Sequence, residues 1–383
     1  MERTVAAGIM TALVGFTSSF AVVLAGLRAV GASPTQAASG LVAVCVAQGL
    51  GMLWLTRRYR LPLTLAWSTP GAALLASTGA VTGGWPAAVG AFLVTGGLIV
   101  LTGLWPRLGA LIAAIPTAIA QAMLAGVLLA LCVEPVHGLL EDPWLVAPVV
   151  LTWLVLLRLA PRWAVPLAFV VAFAGISVDL ARHGGLVGPL VPRLDLTAPT
   201  LTWSALLSLA VPLYVVTMAS QNVPGVAVMS SFGYTVPWRA AMTVTGLGTV
   251  AGAAAGGHAV NLAAITAALA AGPEAHPDRE QRWRAAHTAG WAYLVLGGLA
   301  TALASVAVAA PAGVVGAVAG LALLGTLGSA LAGATSAVDG RAAAMVTFVV
   351  AASGVTLAGI GAAFWALVAG LVVRAVTRER MPG

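Results

Sequence analysis

Many stretches of this chain approach the roughly 20 apolar residues that cross a hydrocarbon core of about 30 Å, and short polar breaks separate them. That pattern leaves few folds open. With 60% of its 383 residues hydrophobic, 8% charged and a mean hydropathy of +1.02, the chain carries more apolar surface than a soluble core of this length could hide. It reads as an all-α polytopic membrane protein. The net charge of +7 does not mark a nucleic-acid binder, because the arginines sit singly or in threes between apolar runs and form no long tract. Cys45 and Cys132 lie inside apolar runs without a CxxC pattern or neighbouring ligands, and read as packing residues. The N-terminus leads straight into an apolar segment with no small-residue cleavage site, so no removable signal peptide is expected.

Fourteen segments are read, seven on each side of a polar loop. The first seven span Val5 to Leu27, Pro34 to Leu55, a broken Leu61 to Thr78, Trp85 to Leu104, Leu108 to Val133, Pro143 to Leu157 and Trp163 to Val178. The second seven span Leu201 to Met229, Ala240 to Ala255, a broken Gly256 to Ala271, Ala285 to Ala309, Pro311 to Ala330, Ala342 to Ser353 and Val355 to Val376. All 18 basic residues are arginines, and with both termini cytoplasmic only Arg28, Arg182 and Arg193 fall outside, as the positive-inside rule expects. An odd number of segments per half makes the two halves enter the membrane in opposite senses, a 7+7 inverted repeat of the kind found in transporters.

The two broken segments concentrate the polar residues. In the third, Ser68 or Thr69 can cap a helix starting at Pro70, whose missing N–H suits a first turn. From Pro70 to Thr78 that helix spans about 13 Å, under half the hydrocarbon thickness, so its N-terminus is expected near the midplane after a short extended strand from Leu63 to Trp67. Extended backbone at that depth needs a protein or wet-cavity wall. The tenth segment repeats the pattern with Gly256-Gly257, His258 and Asn261, the last expected to cap a half-helix reaching Ala271, so that Thr69-Pro70-Gly71 falls opposite Asn261-Leu262-Ala263. Two half-helix N-termini, each carrying a partial positive charge of about half a unit, would cradle a small anion such as a carboxylate. Phe20 and Trp67 would wall its apolar body.

Each of these residues also has a plainer role open to it. Thr17, Ser18 and Ser19 can bond their own helix backbone. Gln221 and Asn222 are adjacent carboxamides that point in different directions from a helix, and both need partners in hydrocarbon, with Pro224 freeing a carbonyl nearby. His258 is the one titratable side chain placed deep in the membrane away from loops; burial disfavours its charged form and an arriving anion favours it, which outlines symport of anion and proton. The polar loop Gly272 to Gly290 matches no metal-binding spacing, and neither a metal nor a cofactor is expected.

The stretches TMASQNVPGVAV (Thr217 to Val228), AAGGHAVNLAAITAA (Ala254 to Ala268) and AGPEAHPD (Ala271 to Asp278), with GFTSSF (Gly15 to Phe20), resemble the benzoate/proton symporter family, BenE, along essentially the whole chain. The resemblance implies uptake of benzoate or a related aromatic carboxylate with a proton across a bacterial inner membrane. It also implies the fold of the uracil-permease group: a core of segments one to four and eight to eleven (residues 1–104 and 200–309) and a gate of segments five to seven and twelve to fourteen (residues 105–199 and 310–383). Carried over by position, the substrate site would draw on Ser18, Ser19, Phe20, Trp67, Ser68, Thr69, Gly71, Gln221, Asn222, Gly257, His258 and Asn261, with His258 coupling the proton. Nucleobase permeases tend to use glutamates on segments eight and ten; none stands here, which favours an anionic substrate. A homodimer stays open. Two other readings are a passive channel or exporter for a related anion, and an intramembrane hydrolase using Ser39 and His258.

Overall fold

The long helix Pro34–Tyr59 stops at Arg60, which takes a left-handed conformation (φ 54°), and Pro62 prevents its resumption. The chain then runs extended into β1, Leu65–Trp67, which pairs antiparallel with β2, Val260–Leu262, from the other half of the chain. The register sets Leu65 against Leu262, Ala66 against Asn261 and Trp67 against Val260. Two further backbone bonds flank the ladder, Ser68 N–H to the Ala259 carbonyl (2.9 Å) and Ala263 N–H to the Thr64 carbonyl (3.0 Å). Here each strand supplies the backbone partners the other would lack in an apolar interior.

The computed structural model describes residues 2–378 apart from Gly184, Leu186, Val187, Ile265 and Ala312. Arg380, counted above on the cytoplasmic side, and Ile265, in the tenth segment, lie outside the described residues. Among those described, eight helices are long and apolar enough to cross a membrane: Glu2–Ala29, Pro34–Tyr59, Gly84–Leu104, Thr117–Glu141, Pro161–Arg182, Trp203–Ser231, Arg279–Val308 and Val314–Thr335. Pro143–Leu159, Arg341–Ala352 and Ala362–Thr377 are shorter apolar helices, and Trp238–Ala253 is a further helix of 16 residues.

Several boundaries shift by a few residues from the sequence reading, and two segments change more. The fifth segment is split, with Pro106–Ala113 separated from Thr117–Cys132 at Pro116, because the residue before a proline is driven out of the helical region. The last helix begins at Ala362, not Val355, since an irregular stretch carrying a Leu357–Ile360 bridge precedes it.

Small residues set how closely the helices pack. Gly49 and Gly290 bring Pro34–Tyr59 against Trp283–Val308, and Gly96 and Gly246 bring Gly84–Leu104 against Trp238–Ala253; a Cβ at any of the four would lie within 3.0 Å of backbone or side-chain atoms across the interface. Such contacts give van der Waals packing where lipid removes the hydrophobic drive between helices.

β1 leads directly into the half-helix Thr69–Thr78, as expected, with Ser68 as its cap. Its ten residues span about 15 Å, half a hydrocarbon core. The partner element departs from expectation. Asn261 caps nothing; it lies in the middle of β2, and the helix after it covers only Ala267–Ala271. The reason is tertiary: Val260 N–H bonds the Thr249 hydroxyl (2.9 Å) and Leu262 N–H bonds the Asn222 side-chain oxygen (2.9 Å), so the extended form keeps all its donors satisfied. The two broken segments are therefore similar in plan and unequal in helix length.

Candidate functional site

Beside the start of the Thr69–Thr78 half-helix lies a cavity of about 590 Å³. Thr69 and Pro70 line it from this half-helix, Ser18 from the break in the first helix, Ser220 and Gln221 from Trp203–Ser231, and Ala264 and Leu269 from the tenth segment. Gln121, Arg162, Thr326 and Ser329 complete its polar lining from the opposite helices, and Leu124 and Leu323 add apolar wall. Of the residues expected to contact substrate, Ser18, Thr69 and Gln221 reach this space.

The first helix breaks at Ser18 and Ser19 because their hydroxyls, with that of Thr17, turn back on the carbonyls of Gly15 and Leu13. Ser18 faces the cavity; Ser19 accepts the indole N–H of Trp67 at 2.7 Å. Trp67 is 2% exposed, with its ring 5.5 Å from Phe16 and 6.1 Å from Tyr293. Phe20 is fully buried against Phe16, Phe169 and Phe173. Trp67 and Phe20, expected to wall the substrate, do not line this cavity: both rings are held in the interior by other aromatics, and Val14, Leu124, Leu269 and Leu323 supply its apolar wall.

Ser68 joins three elements. Its hydroxyl accepts from Gly71 N–H (3.1 Å) and meets the Thr217 hydroxyl (2.8 Å), while its carbonyl accepts from Ala72 N–H (2.8 Å). His258 Nε2 lies 3.1 Å from the same carbonyl. A carbonyl only accepts, so Nε2 carries the proton of the neutral ring and Nδ1 is left as an acceptor; Nδ1 is buried and has no hydrogen-bond partner among the described residues. Asn261 completes the node when its amide is turned so that the oxygen shares the Ser68 N–H (3.0 Å) with the Ala259 carbonyl and the nitrogen donates to the Leu262 carbonyl (2.8 Å). Ser68, His258 and Asn261 are all fully buried. They stand behind the cavity wall, as do Gly71 and Gly257, both packed against neighbouring helices. The expected cradle of exposed half-helix amides changes accordingly, since Ser68 itself occupies the Gly71 and Ala72 N–H groups.

Gln221 and Asn222 do point apart. The helix carries a π turn at Met218–Asn222, where Pro224 lacks the N–H that would bond the Ser220 carbonyl. The wider turn puts Ser220 and Gln221 together on the cavity, while Asn222 turns inward, donating to Met218 Sδ (3.1 Å) and accepting from Leu262 N–H. Asn222 is therefore a positioning residue that holds β2.

Gln121, Arg162 and Ser329 were not singled out from the sequence. Their segments are otherwise ordinary apolar runs or a helix end, and only their apposition to the half-helix gives them meaning. Arg162 Nη2 also lies 3.5 Å from Glu274 Oε1, in the loop that follows Ala267–Ala271. Ser39, the serine weighed as a nucleophile, donates to the Ala255 carbonyl (2.8 Å) and accepts from Asp195 N–H (2.9 Å). Its hydroxyl ties two chain segments to its own helix.

Apolar helices surrounding a polar-lined cavity, with two broken segments crossing beside it, define a membrane transporter. The chain belongs to the benzoate membrane transport protein family, BenE, whose model matches residues 2–376. It is 40% identical to the inner membrane protein YdcO of Escherichia coli K12, over 96% of this chain and 94% of that one. It is 28% identical to the benzoate membrane transport protein of Acinetobacter baylyi, over 96% and 93%. In fold it is similar to the transmembrane domain of the cyanobacterial bicarbonate transporter BicA (TM-score 0.64, 15% identity, 97% of this chain and 98% of that one). It is also similar to solute carrier 26 member A9 (TM-score 0.67, 12% identity, 99% and 66%). The family is one of transporters, not enzymes.

Proposed function

We propose that this chain imports benzoate or a related aromatic carboxylate together with a proton across a bacterial inner membrane. In this reading a core of residues 1–104 and 200–309 moves against a gate of residues 105–199 and 310–383, in the fourteen-segment inverted layout of the uracil-permease group with both termini cytoplasmic. The observation that carries it is the cavity itself, which pairs hydroxyl and carboxamide groups at Ser18, Thr69, Gln121 and Gln221 with an apolar wall at Leu124, Leu269 and Leu323. A carboxylate needs the first set and an aromatic ring the second. The anion-transporting structural relatives agree with a substrate of this charge.

The test is uptake of labelled benzoate by proteoliposomes. An inward proton gradient is expected to drive accumulation above the external concentration; accumulation no greater than in protein-free vesicles overturns the proposal, and equilibration that ignores the gradient identifies a passive pathway.

His258 is assigned the coupling proton. Its Nδ1 is the free acceptor of the buried node, and its Nε2 holds the Ser68 carbonyl at the base of the half-helix, so protonation bears on the element that fronts the cavity. His258→Gln retains a donor for Ser68 and removes the titrating group. Uptake by this variant is expected to lose its dependence on the proton gradient while benzoate binding stays within about threefold, under 1 kcal/mol. An unchanged pH profile of uptake would show the imidazole to be structural.

A further inference from the structure

Among the described residues, the cavity has one charged side chain in its lining, Arg162. Ser68 itself takes up the Gly71 and Ala72 N–H groups of the half-helix, Pro70 has no N–H, and the helix after β2 is five residues long, so the backbone leaves few amides to balance an anion there. Arg162 stands on the short turn Pro161–Trp163, between the helices Pro143–Leu159 and Ala164–His183, and borders two regions. One is the cavity. The other is Glu274, in the loop joining the tenth segment to Trp283–Val308, at 3.5 Å.

The Arg162–Glu274 pair is a single long contact with both side chains about two-thirds exposed (64% and 67%). Pairs of this kind contribute little and exchange partners readily. A guanidinium, by contrast, offers a planar fork that matches a carboxylate through two parallel hydrogen bonds, and does so best where water is partly excluded. A substrate carboxylate at the mouth of the cavity presents the same chemical group as Glu274 in a less solvated place.

We propose that Arg162 is the carboxylate-reading residue of this transporter and that Glu274 is its internal competitor: the guanidinium passes between Glu274 and the substrate's carboxylate as the anion enters and leaves. The inference rests on the transport reading above and extends it to a residue that determines charge selectivity. It also gives the ion pair a role between the two moving parts, because Arg162 falls on the gate side and Glu274 on the core side.

The experiment is equilibrium binding of labelled benzoate to the full-length protein in nanodiscs, with unlabelled benzamide, its neutral isostere, as competitor. The unmodified protein is expected to prefer benzoate strongly. Arg162→Gln is expected to weaken benzoate binding by about tenfold or more, the loss of a charge-assisted bond, and to bring benzoate and benzamide close to equal affinity. Arg162→Lys keeps the charge without the fork and is expected to fall between. Glu274→Gln is expected to shift the other way and tighten benzoate binding about two- to threefold, the range of an exposed pair. Arg162→Gln binding benzoate as the unmodified protein does, or Glu274→Gln weakening it as much as Arg162→Gln, overturns the inference and leaves the transport reading standing. Failure of the unmodified protein to bind benzoate overturns both.

Discussion

Asn222→Ala is expected to reduce benzoate uptake by at least about tenfold without changing which carboxylates are taken up. The side chain does not line the cavity. It is fully buried, and its oxygen is the partner of Leu262 N–H in β2. Removing it leaves a backbone donor unpaired in an apolar interior, which costs about 1–3 kcal/mol. That cost falls on the strand that carries Asn261 opposite Ala66 and leads to the cavity-lining Ala264. Gln221→Ala, one residue earlier and facing the cavity, is the informative contrast: it should raise the benzoate concentration for half-maximal uptake and leave the strand intact. Normal uptake and thermal stability in Asn222→Ala would mean that β2 is not held by this bond.

Gly71→Val should be more severe still. A Cβ at Gly71 would run into Leu213 Cδ1 and lie 2.7 Å from the Ser68 hydroxyl. The valine must displace the buried Leu213 side chain and crowd the Ser68 hydroxyl that caps the half-helix, a cap whose loss alone is worth about 1 kcal/mol in soluble helices. Overpacking adds about 1–3 kcal/mol. Uptake near background is the expected outcome, with the protein still inserted in the membrane. Gly97→Val is the control for valine in a membrane helix, because a Cβ at Gly97 meets nothing within 4 Å. Equal uptake by the two variants would show that the close approach at Gly71 does not matter.

Parts of this site were legible in the chain. Ser68 before Pro70 states a helix start through chemistry confined to three residues, and it stands where the pattern places it. Gln221 beside Asn222 announces two directions from one helix, and the structure separates them into a cavity residue and a strand holder. Asn261 shows the limit. An asparagine before a small-residue run reads equally as a cap and as a strand residue. The choice was made by Asn222, Thr249 and β1, which lie from 11 to nearly 200 positions away in the chain. Phe20 and Trp67 show the same limit: an aromatic near a polar cluster has no orientation in a sequence, and Phe16, Phe169, Phe173 and Tyr293 hold both rings inward, off the cavity lining.

What the sequence by itself determined is what the bilayer enforces on any chain: apolar runs of membrane length, arginines gathered at their ends, and two runs broken by Ser68-Thr69-Pro70 and by the Gly256-Gly257 lead. These follow from solvation and local backbone chemistry, which act over a few residues. Only the tertiary structure decided which polar residues face the cavity and which hold the frame. Burying His258, Asn261 and Asn222 brought each to a partner in a distant segment, Ser68 for the first two and Leu262 for the third; bringing Arg162, Gln121 and Ser329 to the same cavity required the packing of whole helices. Hydrogen-bond satisfaction in an apolar interior is a property of the assembled fold, and it is this that separates the site from its support.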